Sequence, residues 1–93
     1  MRKASALRRQ TEAAGISLRG NVIGERLREA RTSRGLTLQA LHEQVQVQSG
    51  FELSQPTLTR IERGERSVYD FEVAALARAL QIDARWLLGL LEG

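Results

Sequence analysis

The stretch LSQPTLTRIERGER, residues 53–66, holds the only proline of a 93-residue chain. Inside a helix a proline removes a backbone donor and clashes with the preceding turn, at about 3 kcal/mol, so the position of Pro56 decides what this stretch can be. Ser54 is a strong N-cap, and with Ser54 in that role Pro56 falls in the first turn, where the missing N–H has no intrahelical partner to lose. Leu53 is spaced to pack on Leu58 as a hydrophobic staple across that start. A residue before proline is pushed out of the α region, which leaves Gln55 as a second candidate for the cap. Leu58 and Ile61 then form an inward stripe, and Gly64 stops the helix. The proline therefore marks a helix start.

Such a helix presents Gln55, Pro56, Thr59, Arg60 and Arg63 outward. A major groove is read by groups of this kind. Gln pairs bidentately with adenine and Arg with guanine, each good pair supplying about 1–3 kcal/mol of discrimination. Pro56 has no donor to offer, so recognition at its place falls to shape or to an apolar contact such as a thymine methyl. The plain alternative is a surface helix with a polar outside.

Composition bounds the rest. Ninety-three residues form about one small domain with a modest core. At 42% hydrophobic and 27% charged residues, the chain has an ordinary globular composition, which argues against wholesale disorder. The absence of cysteine excludes disulfides, thiolate zinc sites and a cysteine nucleophile. No apolar run approaches the ~18 residues of a membrane span, and the basic N-terminus lacks the apolar segment of a signal peptide. A cytoplasmic protein with no membrane partner is the default expectation. The net charge of +3 is unevenly spread: residues 1–35 carry nine Lys/Arg against three acids, and residues 36–93 five arginines against eight acids. Thirteen of the fourteen basic residues are arginine, the type suited to phosphate forks and base edges. This asymmetry points to a polyanion partner, with a solvated surface and a basic tail as the bland alternative.

Working outward from the opening stretch, residues 1–20 read as a basic arm, and residues 21–93 as the folded domain. Ser5 can cap a marginal helix running to Ala14, with Leu7 its one large apolar anchor and Gly15 past its end. A first firm helix carries Ile23, Leu27 and Ala30 and stops at Gly35. The next is capped by Thr37 and places Leu38, Leu41 and Val45 on one stripe before Gly50 turns the chain; VQV at 45–47 is a weak strand candidate. After the helix at 54–63, a fourth starts with Asp70 as its cap and carries Phe71, Ala74, Ala75, Leu76 and Leu80, and a fifth, ARWLLGLL, follows Asp83. Within this last helix Trp86 is the expected buried residue, and the rest of the set with Leu87, Leu90 and Leu91 is expected to leave an apolar strip exposed.

LTLQALHEQV followed by LSQPTLTRIERG resembles the helix-turn-helix core of the phage-repressor and Cro type family, also called the XRE family. The family's pattern is matched by Leu36, Thr37, Ser54, Thr57, Leu58, Ile61, Glu62 and Gly64. IGERLREARTSRGLT is similar to its first helix and LARALQIDARWLLGL to its last two, so the likeness spans roughly residues 22–90. The resemblance implies an all-α, five-helix, lambda-repressor-like DNA-binding domain. It implies base reading by Gln55, Pro56, Thr59 and Arg60, and a phosphate contact at Thr37. The loop with Arg66 and Ser67 would grip the backbone together with Arg63, and Glu62 would pair with an arginine near the first helix. Twofold dimers formed through the C-terminal region would match paired half-sites about one helical turn apart. Leu38 stands where the family often has Gln, His42 where it usually has a small residue, and the connection from Val45 to Leu53 is about six residues longer than the family's turn. A bulkier crossing and a longer connection suit each other; the alternative is that QVQSGFE lengthens the second helix.

His42 is the only histidine, and without Cys, a second His or clustered carboxylates it is expected to be structural. No Gly-rich phosphate loop and no spaced carboxylate pair appears, so no enzyme activity, cofactor or metal is expected. The arm's Arg2, Lys3, Arg8 and Arg9 can trail along a DNA groove or serve as a solubilising tail. The sequence thus reads as a sequence-specific regulator binding double-stranded DNA as a homodimer, with repression the expected sense. An antitoxin wrapping a toxin, or a protein-interaction module on the same fold, are the alternatives, each with a protein partner.

Overall fold

Five α-helices make up residues 20–92, the part of the chain that the computed structural model describes. They are α1 (Gly24–Ser33), α2 (Leu38–Ser49), α3 (Gln55–Glu62), α4 (Asp70–Leu80) and α5 (Ala84–Leu87), with no strand among the described residues. The expected all-α, five-helix order is what forms. Arg2, Lys3, Arg8 and Arg9 and the helix anticipated over residues 5–14 lie outside the described residues.

Most helix starts follow local chemistry. Thr37 Oγ1 accepts the Ala40 N–H at 3.0 Å, and Asp83 Oδ1 accepts the Arg85 N–H at 2.8 Å. Ser54, in extended backbone, accepts the Thr57 N–H at 3.3 Å and donates to Thr57 Oγ1 at 2.9 Å. Ser54 is thus the cap rather than Gln55, and Pro56 sits in the first turn, where it costs no hydrogen bond. Three boundaries differ from expectation. Asp70 is the first residue of α4 and not its cap: Tyr69 takes that place, because the Glu72 carboxylate reaches back to accept the Tyr69 N–H at 2.9 Å. The segment 45–47 continues α2 as helix, so QVQS lengthens that helix. The fifth helix stops at Leu87, and the chain turns at Gly89 with a Leu90 N–H to Arg85 carbonyl bond of 2.7 Å.

The core is drawn from all five helices, with Leu27, Leu41, Leu58, Ile61, Leu76 and Leu87 fully inaccessible. At about 1.5–3 kcal/mol for each fully buried aliphatic side chain, this set is the main favourable term. The most extensive helix pair is α2 on α4, and α1 packs on α3, α4 and α5. Two expected core assignments shift by one residue. Ala74 faces solvent while Val73 and Ala75 are buried, and Trp86 is half-buried where Leu87 is fully enclosed. A four-residue helix buries a single face, and that face falls on Leu87. Trp86 instead lies beneath the Arg26 guanidinium, 5.1 Å from its ring centroid, while the same guanidinium donates to the Trp86 and Leu91 carbonyls at 2.7 and 3.0 Å.

The long connection between α2 and α3 returns alongside α2. Gly50 ends α2 at φ 79°, Leu53 is buried, and the Phe51 ring meets Phe71 edge-on at 5.4 Å. The half-buried His42 lies against the Leu53 carbonyl, with Nδ1 at 2.8 Å. A carbonyl only accepts, so Nδ1 is the donor. The bulky residue on α2 and the long connection are therefore one feature: the imidazole spans the space and holds the loop.

Candidate nucleic-acid interface

Helix α3 is held from behind and open in front. Leu58 and Ile61 are fully buried, whereas Gln55, Pro56, Arg60 and Arg63 are exposed and Thr59 is half-buried between them. Thr37, at the start of α2, is exposed, and its hydroxyl keeps a hydrogen to donate after accepting from Ala40. Gln55 Nε2 donates to Gln39 Oε1 across the α2–α3 angle, and Gln39 Nε2 donates to Glu43 Oε1 at 2.7 Å. Ser67 is exposed beyond α3.

The far end of α3 is locked by groups from α1. The Arg31 guanidinium forks onto Glu62, Nε to Oε2 at 2.6 Å and Nη2 to Oε1 at 3.0 Å, and its Nη1 donates to the Leu36 carbonyl at 2.8 Å. Hydrogen bonding to Glu62 raises the Arg31 pKa above its ordinary value, with burial opposing and the Glu62 charge assisting. Asn21, 4% exposed, joins four backbone groups. Its Nδ2 donates to the Ile61 and Arg66 carbonyls at 2.8 and 3.0 Å, and its Oδ1 accepts from the Ile23 and Gly24 N–H groups at 3.0 and 3.1 Å. At Gly24 the helices approach so closely that a Cβ would lie 2.7 Å from the Ile61 oxygen and 2.8 Å from that of Glu62. Gly64 closes α3 at φ 71°, a conformation that favours glycine, with the Glu65 N–H on the Arg60 carbonyl at 2.9 Å.

Arg66 is differently employed from the other arginines grouped with it in the sequence. Its guanidinium forks onto Glu72, with both N···O distances 3.0 Å, and Nη1 also donates to the Ser67 carbonyl at 2.9 Å. Burial pushes the Glu72 pKa up, but hydrogen bonds from Arg66 and the Tyr69 N–H, together with the Arg66 charge, hold it below its ordinary value.

A small helix whose buried face and both ends are fixed, set against the start of a second helix, is a recognisable arrangement, and residues 22–87 match the family of the helix-turn-helix domain. The chain belongs to that family. No curated protein matches, and no solved structure matches.

Within the helix-turn-helix domain the arginines divide into two sets. Arg26, Arg31, Arg66 and Arg85 are bonded to partners within the fold. Arg28, Arg34, Arg60, Arg63 and Arg78 are exposed and have no ion pair among the described residues. Sequence reasoning anticipated an arginine for Glu62 without fixing which, and it missed Asn21, Gly24 and Gln39. The available signal for Asn21 was its type, a capping residue just ahead of an apolar-periodic helix; nothing local signalled its bonds to residues 61 and 66. Among the described residues there is no grouping of His and acidic side chains suited to a metal ion, and no helix long and apolar enough to cross a membrane.

Proposed function

We propose that this helix-turn-helix protein is a sequence-specific regulator of the phage-repressor and Cro (XRE) type that binds double-stranded DNA and acts by repression. The observation that carries the reading is α3 itself: two fully buried aliphatics behind, and an amide, a hydroxyl and two unpaired guanidinium groups in front. In this reading α3 enters the major groove, where Gln55, Thr59 and Arg60 meet base edges and Pro56 makes apolar contact. Thr37, Arg63 and Ser67 contact phosphates and fix register. Arg66 acts beside them by holding the loop through Glu72, its remaining N–H capacity directed along the backbone. Residues 1–20, with Arg2, Lys3, Arg8 and Arg9, act as a basic arm to the domain of residues 21–93 and add phosphate contacts.

The protein acts as a homodimer in this reading. Leu88, Leu90 and Leu91 are exposed on the C-terminal turn, Leu90 at 77%, and supply an apolar contact for a second copy. Two α3 helices would then meet half-sites about one helical turn apart.

The test is a titration of the full chain against genomic duplex fragments at several salt concentrations. Binding through several phosphates makes log K fall linearly with log salt, by about 0.9 for each phosphate neutralised. A preferred fragment with a steep slope supports the reading. A flat response, or equal affinity for all fragments, overturns it and favours a protein-interaction module. Gln55→Ala or Arg60→Ala should relax preference at one defined base position by about 1–3 kcal/mol, and an equal loss on every sequence would make these residues phosphate contacts.

A further inference from the structure

Gln55, Gln39 and Glu43 form a chain of side-chain hydrogen bonds on the exposed side of the α2–α3 unit. Its polarity is fixed at one end. The Glu43 carboxylate offers only acceptors, so Gln39 must turn its NH2 group toward Glu43 and its Oε1 toward Gln55. Gln55 must then present its own NH2 to Gln39, which sets the orientation of an amide that would otherwise flip freely.

That orientation has a consequence for bases. A carboxamide meets adenine with its oxygen on N6–H and the N–H on the same side as that oxygen on N7. The second N–H, remote from the oxygen, takes no part. We propose that Gln39 is a positioning residue for base selection: it takes this remote N–H, leaves the adenine-matching pair of Gln55 free, and is itself held by Glu43. The inference rests on the DNA-reading role given to Gln55 above. A flipped Gln55 would present a donor where its oxygen had been, and guanine O6 is an acceptor at the place of adenine N6–H. Losing Gln39 therefore relaxes adenine toward guanine, and not toward all bases.

The test selects binding sites from a randomised duplex pool with the full chain and its variants, then measures affinities for adenine and guanine at the position that Gln55→Ala identifies. Gln39→Leu should lower the adenine-to-guanine ratio there by about 2–10-fold, the worth of one exposed hydrogen bond, while the salt slope stays at the wild-type value. Glu43→Leu should give a smaller change in the same direction. Gln39→Glu keeps an acceptor and only an acceptor, so it should retain the ratio even as added negative charge weakens binding to every sequence. Gln39→Leu added to Gln55→Ala should change the ratio no further. If Gln55→Ala relaxes one position and Gln39→Leu leaves that position untouched, or weakens all sequences equally with a shallower salt slope, the inference alone is overturned. If Gln55→Ala leaves every base preference unchanged, the base-reading assignment fails and the inference with it.

Discussion

Replacing Asn21 tests the link between α1 and the end of α3 most directly. Its carboxamide serves four backbone groups at 2.8–3.1 Å, and three of those bonds are buried. Asn21→Ala leaves the Ile61 carbonyl and the Ile23 and Gly24 N–H groups without partners where water has little access. The Arg66 carbonyl is part-buried and can be rehydrated. Each buried group left unsatisfied costs about 1–3 kcal/mol, and relaxation makes the losses less than additive, so about 3 kcal/mol is expected in total. That is a large share of the ~5–15 kcal/mol stability of an ordinary domain. For a domain of this size it corresponds to a fall in Tm of roughly 12–24 °C. Asn21→Asp separates the two halves of the site. It keeps acceptors for Ile23 and Gly24 but removes both donors and sets a carboxylate against two carbonyls, so its loss should equal or exceed that of Ala. Urea unfolding at pH 7 followed by far-UV circular dichroism reads both. If each variant lies within about 1 kcal/mol of wild type, as surface substitutions do, Asn21 is not the clamp described.

Other substitutions follow from the same geometry. Ser54→Ala should lower stability by about 1 kcal/mol in the same unfolding assay through loss of the α3 cap, and an unchanged midpoint would return the capping role to Gln55. Glu72→Gln should be less stable than wild type at pH 7. Because the Glu72 pKa is lowered in the folded state, its contribution is complete above the ordinary carboxylate range and fades as pH falls through that lowered value. The variant's Tm should consequently change less than that of wild type between pH 7 and pH 3; parallel curves would remove Glu72 from the account. Leu90→Glu places a charge on the most exposed leucine of the C-terminal turn and should shift sedimentation toward the monomer without lowering Tm by more than a few degrees. A wild-type protein that already sediments as a monomer at all concentrations would refute the dimer.

What was legible in the sequence was local. The caps at Thr37, Ser54 and Asp83 and the stripe of Ile23, Leu27 and Ala30 are set by neighbours within a turn, and so are the stops at Gly35, Gly50 and Gly64. What escaped was decided at a distance or by a single residue of phase. Asp70 looks like a cap by type, yet Glu72 caps from within the helix and moves the boundary to Tyr69. Trp86 and Leu87 are both apolar, and only the short span of α5 and the reach of Arg26 decide which is enclosed. On the candidate site, the outward face of α3 was readable from a period of 3.6 residues. The inward turn of Arg66 was not, because its carboxylate lies beyond the loop on α4. Asn21 and Gly24 act on residues about forty positions away, where no local pattern reports them.

The close approach at Gly24 also has an electrostatic reading. There the N-terminus of α1 lies against the C-terminal carbonyls of α3. A helix carries about half a positive charge at its first turn and half a negative one at its last. The two opposite ends meet head to tail and offset each other, so the pair behaves as one longer macrodipole interrupted at a glycine. Its free positive pole is the first turn of α3, which holds no acidic residue. The field at Gln55 and Pro56 is thus written partly into the main chain, and an attraction for anions there would survive the removal of both Arg60 and Arg63.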